Sequence, residues 1–304
     1  MISYAQQAED VVLQRVFEEK PTGRYIDVGA GDPELDSVTK HFYDKGWSGV
    51  NIEPAPGLYS ALVRTRPRDT NLNVAIGRSA GVATLHMVSN AWGRATTDEQ
   101  LACRYAADPA WELDSINVDQ LSLTTVLDHY HDEIDFLKID VERAEYEVIA
   151  GTDWERHQPR VIVVEATEPG LTIPSHERWE PLLITAGYRC ALFDGLNRFY
   201  ARCDDNYALT RLAAPANVFD DYESRELASL RAEVAGFPAV RAGEAAYIRR
   251  LENELREVRD SFENKVRELA DMRQSKDTAR TASEQRERYV AALEARIVEL
   301  ESRQ

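Results

Sequence analysis

Cysteine is scarce: Cys103, Cys190 and Cys203 are the only three, and none forms a CxxC pair. An odd count without paired spacing indicates neither a disulfide framework nor a zinc cage. Long apolar runs are missing as well, since no stretch approaches the ~18 residues that a membrane-spanning helix needs. The first ten residues, Met1–Asp10, are polar and lack the basic-then-apolar pattern of a secretory signal. These absences lead to the expectation of a cytoplasmic protein with no membrane insertion. Positive charge is also in short supply, with 36 Lys+Arg against 53 Asp+Glu and a formal net charge of −17. A nucleic-acid partner is therefore not expected, because phosphate binding needs concentrated Lys and Arg to release counterions.

Proline and glycine both stop partway along the chain: none follows Pro238 and Gly243 respectively. From Arg241 to Gln304 there are 14 Lys+Arg and 14 Asp+Glu, so the whole net charge resides in the first 240 residues. Two differently built parts meet near Gly236, Pro238 and Gly243. The expected division is a catalytic domain over 1–212, a helical linker over 213–243 and a coiled coil over 244–304. With Ile248 at position a, twelve of sixteen a and d positions are apolar over eight heptads without a skip. Ile248, Val290 and Ile297 at a, with Leu251, Leu293 and Leu300 at d, favour two parallel strands and hence a homodimer. The centre, Lys265 to Arg286, is polar. Leu227, Leu230, Val234 and Phe237 continue the register upstream, which points to a shorter helix leading into the tail.

The front part alternates β-rich runs with helical patterns, as a parallel sheet with crossover helices requires. Strands are expected at Arg24–Val28, Gly49–Ile52, Leu72–Ile76, Ile134–Ile139 and Arg160–Glu165. Tyr188–Phe193 and Arg198–Arg202 form a closing hairpin around Asp194–Asn197, and Gly81–Val88 reads as an extra antiparallel strand. Helices are expected at Gln6–Glu19, Ser37–Lys45, Gly57–Arg66, Leu123–Tyr130, Ala144–Ala150 and Glu177–Ala186.

Parallel sheets gather chemistry at the carboxyl ends of their strands. The first strand runs into Asp27-Val28-Gly29-Ala30-Gly31, where Gly29 and Gly31 allow a sharp turn and close approach to a ligand. Glu34 stands where a dinucleotide fingerprint would need glycine, and no GK[ST] follows for a P-loop. Asp27 suits a cationic ligand rather than a pyrophosphate. The second strand ends at Glu53, whose carboxylate can accept both hydroxyls of a ribose. An adenosine-plus-cation site without phosphate corresponds to S-adenosylmethionine.

Ser3-Tyr4-Ala5-Gln6, Tyr25–Gly31, Gly49–Pro54, Asn73–Gly77 and, above all, Lys138-Ile139-Asp140-Val141-Glu142-Arg143-Ala144-Glu145 resemble the FkbM family of S-adenosylmethionine-dependent methyltransferases. The resemblance covers roughly residues 2–210. Its pattern in the last segment is close to K-I-D-V-E-G-A-E. It implies a class I, Rossmann-like α/β fold: a seven-stranded sheet with one antiparallel strand and helices on both faces, followed here by the long C-terminal coiled-coil helix. Gln6 and Ala75 join Asp27, Gly29, Gly31 and Glu53 as implied cofactor contacts. O-methylation, commonly of a sugar hydroxyl in a surface glycan or nucleotide sugar, is the implied activity. The segment Ala191–Tyr200 is similar to members encoded among polysaccharide genes, so a glycosyltransferase is a candidate partner. Two alternatives are an O-methyltransferase of a small secondary metabolite and a weakly active coiled-coil scaffold subunit.

A sugar hydroxyl needs a base or a metal ion to act as nucleophile. Asp140, at the end of the fourth strand, is the first candidate base, with Glu142 close behind and Glu165 on the same edge. The three carboxylates are also candidate oxygen ligands for Mg²⁺, or else Glu142 caps the next helix and Glu165 pairs with Lys138. Arg143 replaces the family's usual glycine, either as a solvent-facing change or as a substrate contact. His86, His157 and His176 show no ligand spacing, although His176 falls in a candidate acceptor loop, Thr167–Arg178. Trp92, Trp111 and Trp179 are candidate sugar-stacking or core residues.

Overall fold

The structure, a computed structural model, describes residues 1–90, 93–130, 133–236, 248, 250–270, 272, 273, 276 and 286. Contacts divide the chain into two compact units, Met1–Leu230 and Arg231–Gln304. The chain begins with the short strand β1 (Ile2–Ser3) and helix α1 (Glu9–Val16). There follow β2 (Arg24–Val28), α2 (Lys40–Asp44), β3 (Ser48–Ile52), α3 (Pro56–Thr65) and the edge strand β4 (Thr70–Leu72). A second group comprises β5 (Ala75–Gly77), β6 (Gly81–Val88), β7 (Ala95–Thr96), α4 (Glu99–Ala107) and β8 (Leu113–Ser122). The chain then returns through α5 (Leu123–Leu127), β9 (Phe136–Ile139), α6 (Glu145–Ala150), β10 (Val161–Glu165) and α7 (Glu180–Thr185). The first unit closes with β11 (Tyr188–Phe193), β12 (Asn197–Arg202), α8 (Asn206–Arg211), β13 (Glu223–Ser224) and the start of α9 (Arg225–Gly236).

Seven strands form the main sheet in the order β11-β12-β10-β9-β2-β3-β4. The central strands pair in parallel, and β12 alone runs antiparallel to its neighbours. The expected closing hairpin is present, with its second strand inserted beside β10 and its first left at the edge. Side-chain alternation sends Ile26, Val28, Leu137, Ile139, Ile162 and Val164 into one core, while Tyr25, Phe136, Val161 and Val163 enter the other. Both faces are covered, which is why these strands read as nearly continuous apolar runs. The interruptions share one face: Asp27 is registered beside both Asn51 and Lys138, and Asn51 beside Asn71. This largely buried polar row crosses the sheet near the carboxyl ends of the strands.

Two expectations need correction. The strand expected over Leu72–Ile76 breaks into β4 and β5, because the Asn73 side-chain amide donates to the Glu53 and Pro54 carbonyls at 2.9 Å and turns the chain. β5 then enters a separate four-stranded sheet, β5-β8-β6-β7. Gly81–Val88 is indeed antiparallel, but its full-length partner is β8, outside the main sheet. Neither β8 nor α4 was expected; the alternation in Leu113–Ser122 carries few apolar residues, and α4 begins at an Asp98 cap accepting from Leu101 N at 2.7 Å.

The first unit extends beyond the boundary expected at 212. β13 pairs in parallel with β1, and Asp220 pairs with Arg15 on α1, which ties residues 213–224 to the catalytic body. In the second unit, residues 250–270 form a 21-residue helix, α10. Phe237, Trp92 and the seam residues Ala279, Ser283, Val290, Leu293, Ile297 and Leu300 lie outside the described residues. Among the described residues no helix is long and apolar enough to cross a membrane.

Candidate active site

A cleft of about 1090 Å³ opens over the carboxyl ends of β2, β3, β9 and β10. Eight of the nine candidate site residues line it: Gln6, Gly29, Gly31, Glu53, Ala75, Asp140, Glu142 and Glu165. Asp27 is the exception.

On the β2–β3 side, the amides of Gly29 and Ala30 donate to Ile52 O at 3.0 and 3.1 Å, folding the turn back on β3. Gly29 adopts φ +78°, and a Cβ there would fall 1.8 Å from Asp140 O. Only glycine fits this crossing of two backbones. Gly31 also has positive φ, +62°, but a Cβ there would meet nothing within 4 Å, so its bare backbone borders open cleft. The two oxygens of Glu53 accept from Gly31 N at 2.9 Å and Ala55 N at 2.8 Å, fastening both turns to one carboxylate. Burial raises its pKa, against the lowering effect of those amides and of Lys138. Gln6 is exposed at the cleft mouth, and its neighbour Gln7 donates from its amide to Glu9 at 2.8 Å. Glu9 also accepts from Asn197 Nδ2 at 2.6 Å, so the hairpin turn holds the Gln6–Gln7 loop in place.

Asp27 sits beneath this wall, 1% exposed, where Thr39 donates to it at 2.9 Å and Lys138 Nζ lies 3.4 Å away. Unlike the other expected cofactor contacts, Asp27 is not among the cleft-lining residues: it points to the same face of β2 as Tyr25. Lys138 donates to Gly29 O at 2.8 Å and lies 3.3 Å from Asp140. Burial lowers the pKa of this ammonium, but Asp140 and Asp27 outweigh that and raise it. Lys138 thus couples the glycine turn to the opposite wall. The sequence offered Glu165 as an alternative partner for Lys138; strand register shows Asp27 as its direct neighbour.

On the β9–β10 side, Asp140 donates its backbone amide to Val28 O at 3.0 Å and turns its carboxylate into the cleft. Burial raises the pKa of Glu165, as do the charges of Asp140, Glu142 and Glu145 and a hydrogen bond with Asp140. Glu142 is pushed up to about 8 by burial first and then by Asp140 and Glu145, with Arg94 opposing. Its Oε2 is buried without a hydrogen-bond partner among the described residues. Glu142 does not cap α6. Its N-cap is Ala144, without a side-chain cap bond, and Glu145 at the start of the helix instead accepts from the preceding amides of Val141 and Arg143 at 3.3 and 3.1 Å. Among the described residues no group of three or more His, Cys, Asp or Glu side chains is placed to hold a metal ion.

Glu142 and Arg143 occupy consecutive left-handed conformations, φ +51° and +80°. That geometry accounts for glycine in the resembling pattern, since a side chain there costs about 1–2 kcal/mol. Arg143 reaches Asp98 at 3.7 Å and Glu168 at 3.5 Å, joining the segments before α4 and after β10 that border the cleft. It is neither a free surface residue nor a cleft-lining one. Arg94, which the sequence did not single out, lines the cleft with its guanidinium 4.2 Å from the Trp111 ring centroid. No local pattern marks it, because the Trp111 ring arrives from a different segment. Trp179 is a core residue against Tyr200. His176 packs beside Trp179 and Glu180, while His86 and His157 contact Ser115 and Asp128.

The TehB-like SAM-dependent methyltransferase from Corynebacterium glutamicum ATCC 13032 Kitasato is a similar solved structure. It is 9% identical with a TM-score of 0.34, over 63% of this chain and 87% of that one. Trm1 from Pyrococcus horikoshii, solved with S-adenosyl-L-methionine, is 11% identical with a TM-score of 0.28, over 64% of this chain and 53% of that one. No curated protein matches the chain. The methyltransferase FkbM domain matches residues 27–190, more than half of the chain and the span from Asp27 past Glu165. On that match the chain belongs to the FkbM family of S-adenosylmethionine-dependent methyltransferases.

Proposed function

We propose that the protein methylates a sugar hydroxyl, in a surface glycan or a nucleotide sugar, with Asp140 as the group that takes the hydroxyl proton. The observation carrying this reading is that Asp140 lines the cleft with Lys138 3.3 Å from its carboxylate, and Glu165, whose pKa burial raises, stands on the same rim. A neutral neighbour and a cation leave Asp140 as the acceptor for an incoming O–H.

The opposite wall fits S-adenosylmethionine. Glu53 reaches the cleft with acceptor capacity beyond its two amide bonds, suited to ribose hydroxyls. Gly31 leaves room for close approach, and Ala75 and Gln6 complete the surround. When bound, the cofactor supplies an activated sulfonium methyl. The chain's own work is to orient the acceptor oxygen and accept its proton. Several carboxyl groups around one position suit a polyhydroxylated acceptor, and the unpartnered Oε2 of Glu142 offers a further place for a hydroxyl. Similarity of Ala191–Tyr200 to members encoded among polysaccharide genes supports the same acceptor class.

The test is transfer of labelled methyl from S-adenosylmethionine to a panel of nucleotide sugars and glycan fragments, with and without Mg²⁺. Transfer to a sugar, alkali-stable as an ether, is expected without added metal. Cofactor binding with no transfer to any sugar, but turnover on small phenols or hydroxy acids, would overturn the acceptor class.

A further inference from the structure

Seven apolar side chains of the second unit repeat at heptad spacing: Ile248, Leu251, Leu255, Val258, Phe262, Leu269 and Met272. They are between 39 and 69% exposed, far more than a seam of this composition tolerates in water. Burial of such side chains is favourable in proportion to the apolar area removed from water, so the stripe calls for a partner.

The charges beside the stripe select that partner. In a parallel, in-register pair, each g residue faces the e residue of the following heptad on the other helix. Among the described residues Glu254 then meets Arg259 and Glu268 meets Arg273, each contact occurring twice, and the combination between them, Ser261–Val266, is uncharged. In the single chain Glu254 and Arg259 instead bond along their own helix, to Arg250 at 2.8 Å and Glu263 at 3.4 Å. Those exposed bonds are weak enough to be exchanged.

We infer that α10 pairs with α10 of a second copy of this chain as a parallel, in-register, two-stranded coiled coil whose register is set by Glu254–Arg259 and Glu268–Arg273 contacts. Lys265 at d and Lys276 at a act in the same sense. A long amine in the seam is accommodated by two strands with its ammonium reaching solvent, whereas a slip of one heptad would set Lys265 against Val258 or Met272. Nothing in this pairing involves the cleft, so it stands or falls separately from the acceptor proposed above.

Sedimentation equilibrium on the full chain at tens of micromolar should give twice the chain mass. Glu268→Arg sets two like-charge contacts in the pair and should weaken dimerisation about tenfold, and adding Arg273→Glu should restore it. Val258→Cys, at a d position, should crosslink to its own copy under mild oxidation, above the background set by the native Cys103, Cys190 and Cys203. A full-length monomer at that concentration overturns the pairing, as does a trimer. A dimer in which Val258→Cys does not crosslink overturns the parallel register. Failure of the double swap to restore affinity overturns the assigned charge contacts.

Discussion

Asp140 and Glu165 follow paired residues of the adjacent strands β9 and β10, and both line the cleft. Burial first, and then three neighbouring carboxylates, raise the pKa of Glu165, so the two residues should tolerate different substitutions. Glu165→Gln replaces a neutral donor by a neutral donor, and kcat should stay within about threefold of wild type. Asp140→Asn removes the acceptor for the hydroxyl proton and should lower kcat by about a hundredfold or more, with cofactor affinity little changed. Steady-state kinetics on the two variants check this. An equal loss in both would place the proton on the wrong residue. Arg143 shows the same dependence on surroundings: a left-handed arginine persists because Asp98 and Glu168 meet its guanidinium.

The turn after β2 combines two glycines with opposite demands. At Gly29 a methyl group would collide with the Asp140 carbonyl at 1.8 Å, where β2 and β9 are held by backbone pairing. Gly29→Ala should therefore destabilise the first unit by about 3 kcal/mol or more, combining overpacking with left-handed strain. At Gly31 the space is open, and Gly31→Ala should cost only the strain, about 1–2 kcal/mol. Its methyl would project into the cleft, so the loss should appear in S-adenosylmethionine affinity. Urea unfolding and calorimetry on both variants separate the effects. Equal stability losses would remove the distinction between a packing glycine and a cleft-wall glycine. The same contrast marks whole elements: β9 and β2 are specified by their own apolar runs, whereas β8 exists because β6 pairs with it along eight residues.

Across the molecule, buried carboxyl groups set how stability changes with pH. Glu9 and Glu145 are pushed up to about 7, Asp10 to about 6 and Glu142 to about 8, in each case by burial before any other cause. Raised values mean that the folded chain holds more protons than the unfolded chain between the ordinary carboxyl range and pH 8. Stability present below about pH 4.5 is then lost as pH rises through 6 to 8. The net charge of −17 adds self-repulsion in the same direction. Tm should fall by about 5 °C or more from pH 5 to pH 8.5, since each kcal/mol moves a unit of this size by about 2–4 °C. Glu142→Gln should flatten the upper part of that slope. A Tm that rises over this interval would show that these groups titrate as solvent-exposed carboxyls.

Features carried by neighbours in the chain could be read directly from the sequence. Strand periodicity, the Gly29–Gly31 turn, the strand-end carboxylates Glu53, Asp140 and Glu165, and the heptads over 248–300 all depend on residues a few positions apart. The sheet itself was legible for the same reason, because strands buried on both faces are apolar throughout. What only the tertiary structure decided depends on register and on the local dielectric. Strand pairing set Lys138 beside Asp27, moved Asp27 beneath the cleft and sent β5 into a second sheet. Burial raised the pKa of Glu165 and left Glu142 without a partner for Oε2 among the described residues. A residue's partners across a sheet and its distance from water are sums over the whole fold, so no local pattern in the chain encodes them.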